Sequence, residues 1–156
     1  MQKNVTRILL IECQSGQADD VRKVLSKCPA EITACDGIEQ AWKLLFDQEQ
    51  EESCADLVIL EVGLSDLCGL GLIKKMRMDE PTKNIPVLIL TNSSETQKAV
   101  DLFELPLTFS VVKPFTFGKL IYALPALNMK VSDSMLSIDT KAKNFAPTTR
   151  QVTHRI

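Results

Sequence analysis

Short apolar runs alternate five times with segments whose apolar residues recur at helical spacing, and this alternation constrains the fold more than any other feature of the chain. The five runs are RILLIEC (7–13), EITAC (31–35), DLVILE (56–61), IPVLILT (85–91) and FSVV (109–112). Near-continuous apolar strands are typical of a parallel sheet covered by helices on both faces. The pattern therefore predicts a doubly wound α/β domain with right-handed crossovers.

The segments between these runs predict five helices, over 17–28, 38–48, 70–79, 94–104 and 116–127. The third must end before Pro81, because the residue before a proline disfavours helical backbone angles. In the fourth helix, Phe103 is expected on the inward face with Ala99 and Val100. Trp42, in the second helix, is expected to pack partly buried.

Composition narrows the class of protein. The 156 residues suit one domain with a full core, and a net charge of −2 argues against nucleic acid as a partner of the domain. No apolar run approaches the roughly 20 residues that a membrane helix needs. Glu12 interrupts the apolar stretch near the N-terminus, so no signal-peptide pattern is visible and a cytoplasmic location is expected.

Cysteine and histidine usage disfavours several kinds of site. The five cysteines are scattered without CxxC spacing, which argues against a disulfide framework or a zinc site. His154 is the only histidine, so histidine-based acid–base catalysis is excluded from most of the chain. Without a Ser/His pair or a Gly-rich phosphate loop, a small hydrolase or reductase is disfavoured.

The alternating pattern stops at about Met129. Residues 129–156 are polar, with five Lys or Arg against two Asp, whereas residues 1–128 carry 13 basic and 18 acidic groups. We expect a domain over 1–128 followed by a flexible tail over 129–156. A linker, or a segment that docks on a partner, is the alternative for the tail.

Polar side chains stand at the ends of four apolar runs: Glu12, Glu61, Thr91 and Lys113. In open α/β sheets, sites form at the carboxyl ends of the strands, near the point where the strand order reverses. These four side chains are therefore the first candidates for a functional site.

The four run ends, LLIEC, VILEVGLSDLCG, LILTN and VVKPF, together resemble a response-regulator receiver domain, the phosphoacceptor module of two-component signalling. The resemblance covers residues 7 to about 127 and implies a flavodoxin-like sheet of order 2-1-3-4-5. In such a domain an Asp accepts a phosphoryl group, acids at the first strand end help to hold Mg²⁺, and a hydroxyl and a Lys contact the phosphoryl group.

Four residues match the family's motif. The resemblance makes Thr91 the hydroxyl and Lys113 the lysine. It makes Gly63 the residue whose carbonyl contacts the metal, and Gly69 the glycine of the turn after the third strand.

Three positions depart from the motif. Glu61 stands where the phosphoacceptor Asp is expected, Cys13 replaces one acid of the pair Glu12–Cys13, and Ser110 stands at the usual aromatic position, one residue after Phe109. The glutamate carboxylate reaches roughly 1–1.5 Å further than an aspartate, and a misplacement of about 1 Å can cost on the order of 100-fold in rate.

Magnesium is expected to bind weakly or not at all, because a thiol is a poor ligand for this hard cation. The weak candidate ligands are Glu12, Glu61 and the carbonyl of Gly63. Neither a cofactor nor an enzymatic activity is expected.

The sequence thus favours a degenerate receiver, a phosphorylation-independent signalling and protein-interaction module. Glu61 could reach toward Lys113 and Thr91 and partly mimic the phosphorylated form, or lock one state. The alternative is an atypical, phosphorylatable single-domain response regulator that uses Glu61 in a slow self-phosphorylation.

Partner binding is expected on the surface that the family uses, formed by the fourth helix, the fifth strand and the fifth helix. The partners implied are signalling proteins such as a histidine kinase or an output protein, with no membrane involved. On this chain the expected partner face comprises Gln97, Lys98, Asp101, Phe109, Lys119 and Tyr122.

Overall fold

A computed structural model describes residues 5–12, 19–46, 55–63 and 68–131, with the backbone alone at Asp19, Asp20 and Cys68. Cys13 and nearly all of the predicted tail lie outside these residues. Ten elements alternate along the described chain: β1 (Thr6–Glu12), α1 (Asp19–Ser26), β2 (Ala30–Asp36), α2 (Ile38–Leu45), β3 (Leu57–Val62), α3 (Cys68–Met78), β4 (Val87–Thr91), α4 (Ser94–Asp101), β5 (Thr108–Val112) and α5 (Phe117–Ala126).

The five strands form one parallel sheet of order β2-β1-β3-β4-β5, which confirms the predicted fold and strand order. All six residues of β3 are buried, as expected for a central strand covered on both faces. In its register, Leu60 lies between Ile11 of β1 and Ile89 of β4.

Two apolar cores lie on opposite faces of the sheet, because successive strand residues point to opposite sides. One core packs Leu9 and Ile11 of β1 against α2, α3 and α4. The other packs Ile8 and Leu10 against α1 and α5. The five helices of the described residues therefore sit three on one face and two on the other.

Helix α4 is shorter than the sequence predicts. Ser93 caps its start by accepting a hydrogen bond from the Thr96 amide, and the helix ends at Asp101. Glu104 then adopts a positive φ of 47°, which no helix continues through. The expectation that Phe103 faces inward is wrong: its side chain is 41% exposed, because the helical spacing stops two residues earlier.

Gly69 lies in the first turn of α3 and not in the turn before it. A Cβ atom at this position would approach the Leu60 side chain to 2.9 Å. A glycine therefore lets α3 pack closely on β3, directly behind Glu61.

Arg77, in the last turn of α3, ties together the loops at the amino ends of β4 and β5. Its guanidinium donates to the carbonyls of Ile85 at 2.7 Å, Pro106 at 2.9 Å and Leu107 at 3.1 Å. Longer bonds reach the carbonyls of Thr82 and Lys83. Burial lowers the pKa of Arg77 to about 10, which leaves it charged at neutral pH.

The described chain continues past the predicted domain end at residue 128. Met129 and Val131 pack against the core beneath α1 and α5, and the Met129 amide donates to the Leu124 carbonyl at 2.8 Å. Within the described residues, no helix has the length and apolar character needed to cross a membrane.

Candidate functional site

The carboxyl ends of the strands bring four of the predicted residues to one edge of the sheet. Glu12 ends β1, Glu61 is the penultimate residue of β3 and Thr91 ends β4. Lys113 directly follows β5, and its amide donates to the Thr91 carbonyl at 2.7 Å. The site residues are held here by the sheet ladder itself, so their positions follow from the strand register.

Glu61 and Lys113 form a short ion pair inside this edge. Lys113 Nζ lies 2.7 Å from Glu61 Oε2, and the two side chains are 17% and 7% exposed, respectively. The other carboxylate oxygen, Glu61 Oε1, is buried and has no hydrogen-bond partner in the described structure. The longer glutamate thus reaches the lysine, as the sequence suggested, and leaves one oxygen unused.

Glu12 is held by a cation that the sequence analysis did not single out. Arg22 Nε, from α1, donates to Glu12 Oε1 at 2.7 Å, while Glu12 itself is buried. A signal for this contact was present: an arginine in the first turn of a helix opposes the helix dipole, so a partner acid nearby is to be expected.

The Thr91 hydroxyl is engaged by backbone carbonyls of the chain. Its Oγ1 lies 3.3 Å from the carbonyl oxygen of Ser93 and 3.5 Å from that of Val111, and the side chain is buried. A hydroxyl carries a single proton, so this arrangement occupies its one donor. Glu61 was expected to reach toward both Lys113 and Thr91, and the described structure shows its contact with Lys113.

Ser110 links β5 to α4. Its Oγ donates to Asp101 Oδ1 at 2.8 Å, and its carbonyl accepts from Gln97 Nε2 at 3.0 Å. Two residues of the expected partner face therefore point back at the position where the family has an aromatic ring. Both contacts hold α4 against β5, and the one from Ser110 Oγ to Asp101 is a contact that a phenyl ring at residue 110 could not make.

The described part of the site does not fit a magnesium ion well. Among the described residues, no three His, Cys, Asp or Glu side chains converge on one point. Glu12 is engaged by Arg22 and Glu61 Oε2 by Lys113, so a metal would share each acid with a cation of the chain. Gly63 follows β3 directly, and Cys13 lies outside the described residues, so weak binding of Mg²⁺ stays a prediction.

The expected partner face needs one correction. Phe109 is only 8% exposed and belongs to the core beneath α1 and α5. Its ring meets that of half-buried Tyr122 edge-on, with centroids 6.1 Å apart. Phe109 follows β5 inward because strand residues alternate between faces, so it offers no exposed apolar contact.

Lys119 of the same face is also engaged within the chain. Its ammonium donates to the carbonyls of Val112 and Pro114, both at 2.8 Å, and burial lowers its pKa. Lys98 is exposed, and its side chain alone among the six has neither a described polar contact nor a ring contact. The face is therefore more polar and more internally bonded than its sequence suggests.

The fold and the strand-end residues define a receiver domain, and the response regulator receiver domain model matches residues 8–125. The chain belongs to this family. It is similar to the two-component response regulator-like protein APRR3 of Arabidopsis thaliana, with 35% identity over 86 residues, or 55% of this chain and 17% of that protein.

Two further relatives extend the comparison. The two-component response regulator-like protein PRR37 of Oryza sativa subsp. indica is 27% identical over 93 residues, or 60% of this chain and 12% of its own. The chain thus spans less than a fifth of the length of these plant relatives. The solved structure of the bacteriophytochrome response regulator AtBRR superposes with a TM-score of 0.71 at 25% identity, covering 83% of this chain and 97% of that one.

Proposed function

We propose that this receiver domain acts as a phosphorylation-independent signalling and protein-interaction module. The observation that carries the proposal is the ion pair between Glu61 and Lys113, at 2.7 Å inside the buried edge. In phosphoryl transfer, cations stabilise the charge of the transferred group. Here the lysine is already engaged by a carboxylate of the same chain.

The other acid supports the same proposal. Arg22 binds Glu12 at 2.7 Å, so a metal cation would compete with a guanidinium for that carboxylate. A thiol at Cys13 adds a poor magnesium ligand beside it. We therefore propose that the domain has neither a bound cofactor nor an enzymatic activity.

The signalling partners belong to the proposal as well. Receiver domains exchange contacts with other signalling proteins, so the chain is proposed to bind a histidine kinase or an output protein in the cytoplasm. The plant relatives are described as response regulator-like, which supports a role within such a pathway. Binding requires a surface and no phosphoryl chemistry.

One observation favours a second candidate function, a slow, phosphorylatable response regulator. Glu61 Oε1 is buried without a hydrogen-bond partner, and such a carboxylate oxygen could attack the phosphorus of acetyl phosphate, which would form an acyl phosphate on Glu61 and release acetate. Its lysine neighbour would then stabilise the product. The two functions differ in whether the wild-type chain becomes labelled.

The test is labelling by acetyl phosphate in the presence of Mg²⁺, followed by intact mass measurement. We expect no labelling of the wild type. Glu61→Asp with Cys13→Asp should restore slow labelling, since the first change shortens the nucleophile and the second supplies an oxygen ligand. Adding Arg22→Gln should raise the rate further, because it releases Glu12.

Single variants make the test sharper. Glu61→Asp or Cys13→Asp alone should gain little, because the two groups act as one unit. Lys113→Ala in the triple variant should abolish the gain. Wild-type labelling at Glu61 as fast as that of the double variant would overturn the proposal in favour of the second candidate.

A further inference from the structure

Large exposed apolar side chains concentrate on one face of the domain. The described residues include five such side chains. Four of them lie on the face of the sheet that α2, α3 and α4 cover, and the fifth, Val5, lies elsewhere. On this face Met78 is 80% exposed, Leu102 83% and Trp42 40%, and Phe103 lies beside Leu102. Exposed apolar residues scattered singly are ordinary, but several on one face mark an interaction site.

Two lysine–ring contacts join these side chains into one surface. Lys74 Nζ lies 5.3 Å from the centroid of the Phe103 ring, and Lys75 Nζ lies 5.8 Å from that of Phe46. Met78 is one helical turn from both lysines, so it stands between the two contacts. We call the following set the α3 surface: Trp42, Phe46, Lys74, Lys75, Met78, Leu102 and Phe103.

The α3 surface carries two lysines and no acid of its own. Helix α3 has no acidic residue in Cys68–Met78, and the acids Asp79 and Glu104 directly follow Met78 and Phe103 in the chain. Lys75 forms a partly buried pair with Asp79 at 3.3 Å. For Lys74, no acidic side chain of the described residues lies within ion-pair distance; its cation rests on an aromatic face instead.

We propose that the α3 surface binds an amphipathic helix of a partner protein, whose apolar face covers Met78, Trp42 and Leu102 and whose carboxylates meet Lys74 and Lys75. A helix laid on an apolar surface uses anchors at positions i, i+3, i+4 and i+7. Acidic residues beside those anchors complement the two lysines, which the rings already hold in place. This surface is separate from the α4–β5–α5 face expected from the sequence.

This proposal deepens the proposed function by naming a surface and a kind of partner. It rests on the proposed role in protein interaction and does not depend on whether Glu61 can be phosphorylated. Its residues lie away from Glu12, Glu61 and Lys113. The labelling experiment and the binding experiment below can therefore fail independently, and each failure identifies the proposal that is wrong.

The probe is a phage-displayed library of random 16-residue peptides, panned on the full chain. We expect the selected peptides to be acidic and to repeat apolar residues at helical spacing. Synthetic versions should gain helicity on binding. Their Kd, measured by fluorescence anisotropy, should rise about tenfold or more for Met78→Glu and for Lys74→Glu.

A charge reversal separates recognition from mere damage to the fold. Replacing the acidic residues of a selected peptide by lysine should abolish binding to the wild type and restore it to Lys74→Glu. Lys23→Glu, an exposed change on α1 at the opposite face of the sheet, is the matched control and should leave Kd unchanged. Circular dichroism of each variant checks that the fold is retained.

Three outcomes overturn the proposal. The first is that the selected peptides are neutral or basic. The second is that neither Met78→Glu nor Lys74→Glu changes their Kd. Alternatively, sedimentation shows a dimer of the chain that Met78→Glu dissociates, which assigns the α3 surface to a second copy.

Discussion

At the scale of single residues, the ion pair between Glu61 and Lys113 compensates the buried carboxylate at the centre of the site. The two groups are 52 residues apart in sequence and 2.7 Å apart in space. A buried ion pair adds little net stability over a well-packed apolar pair, yet removing one partner leaves an uncompensated buried charge. The lysine is therefore needed to hold the glutamate even if no phosphoryl group ever enters.

Lys113→Met should lower the free energy of unfolding by about 3 kcal/mol, because Glu61 would stay buried without its cation. Adding Glu61→Met should recover much of that loss, since both charges are then gone. Urea unfolding followed by Trp42 fluorescence measures each variant. The matched control is Lys83→Met, whose partner Glu80 lies at the surface, and it should change stability by no more than about 0.5 kcal/mol. Equal effects of Lys113→Met and Lys83→Met would contradict a structural role for the site pair.

At the scale of elements, the end of α4 decides which aromatic rings reach solvent. The helix stops at Asp101, whose carboxylate accepts from Ser110. Phe103 therefore lies in the following turn and is exposed, whereas Phe109 enters the core with β5. The early end of α4 exposes Phe103 and so creates part of the α3 surface, whereas the burial of Phe109 follows from the alternation of residues along β5.

The position of α3 against the β4 and β5 loops depends on Arg77. Arg77→Met should cost about 3 kcal/mol, because several carbonyls around the partly buried guanidinium lose a charged donor. Arg77→Lys should recover only part, since one ammonium cannot match the planar fork that bonds to both loops. Thermal and urea unfolding give the values. Arg7→Met, which removes a half-exposed pair with Asp56, should cost far less. A comparable cost would show that Arg77 stabilises the fold no more than an ordinary surface ion pair does.

At the scale of the whole molecule, the sheet gathers every strand end at one edge while leaving an apolar surface on one helical layer. At this edge both acids form ion pairs with cations of the chain: Glu61 with Lys113, and Glu12 with Arg22. The large apolar side chains of the α3 surface are exposed among the described residues. Together these features support the proposed role as a protein-interaction module.

We predict that residues 129–131 contribute to the domain that the sequence pattern bounds at residue 128. Met129 and Val131 pack on the core beneath α1 and α5, so a chain of residues 1–128 should be less stable than one of residues 1–131 by roughly 1–2 kcal/mol. Urea unfolding of the two chains gives the difference. Met129→Ala with Val131→Ala in the longer chain should reproduce most of it; identical midpoints for both chains would place the boundary at residue 128 after all.

The sequence by itself determined the five-fold alternation, the parallel sheet and the arrival of Glu12, Glu61, Thr91 and Lys113 at one edge, because strand burial and strand ends are written in local apolar patterns. Only the tertiary structure decided what each of these groups touches. The partner of Glu12 comes from another element, and the carbonyls that bind Arg77 come from loops up to 30 residues away. Such pairings depend on the distances between packed elements, and no local pattern records those distances.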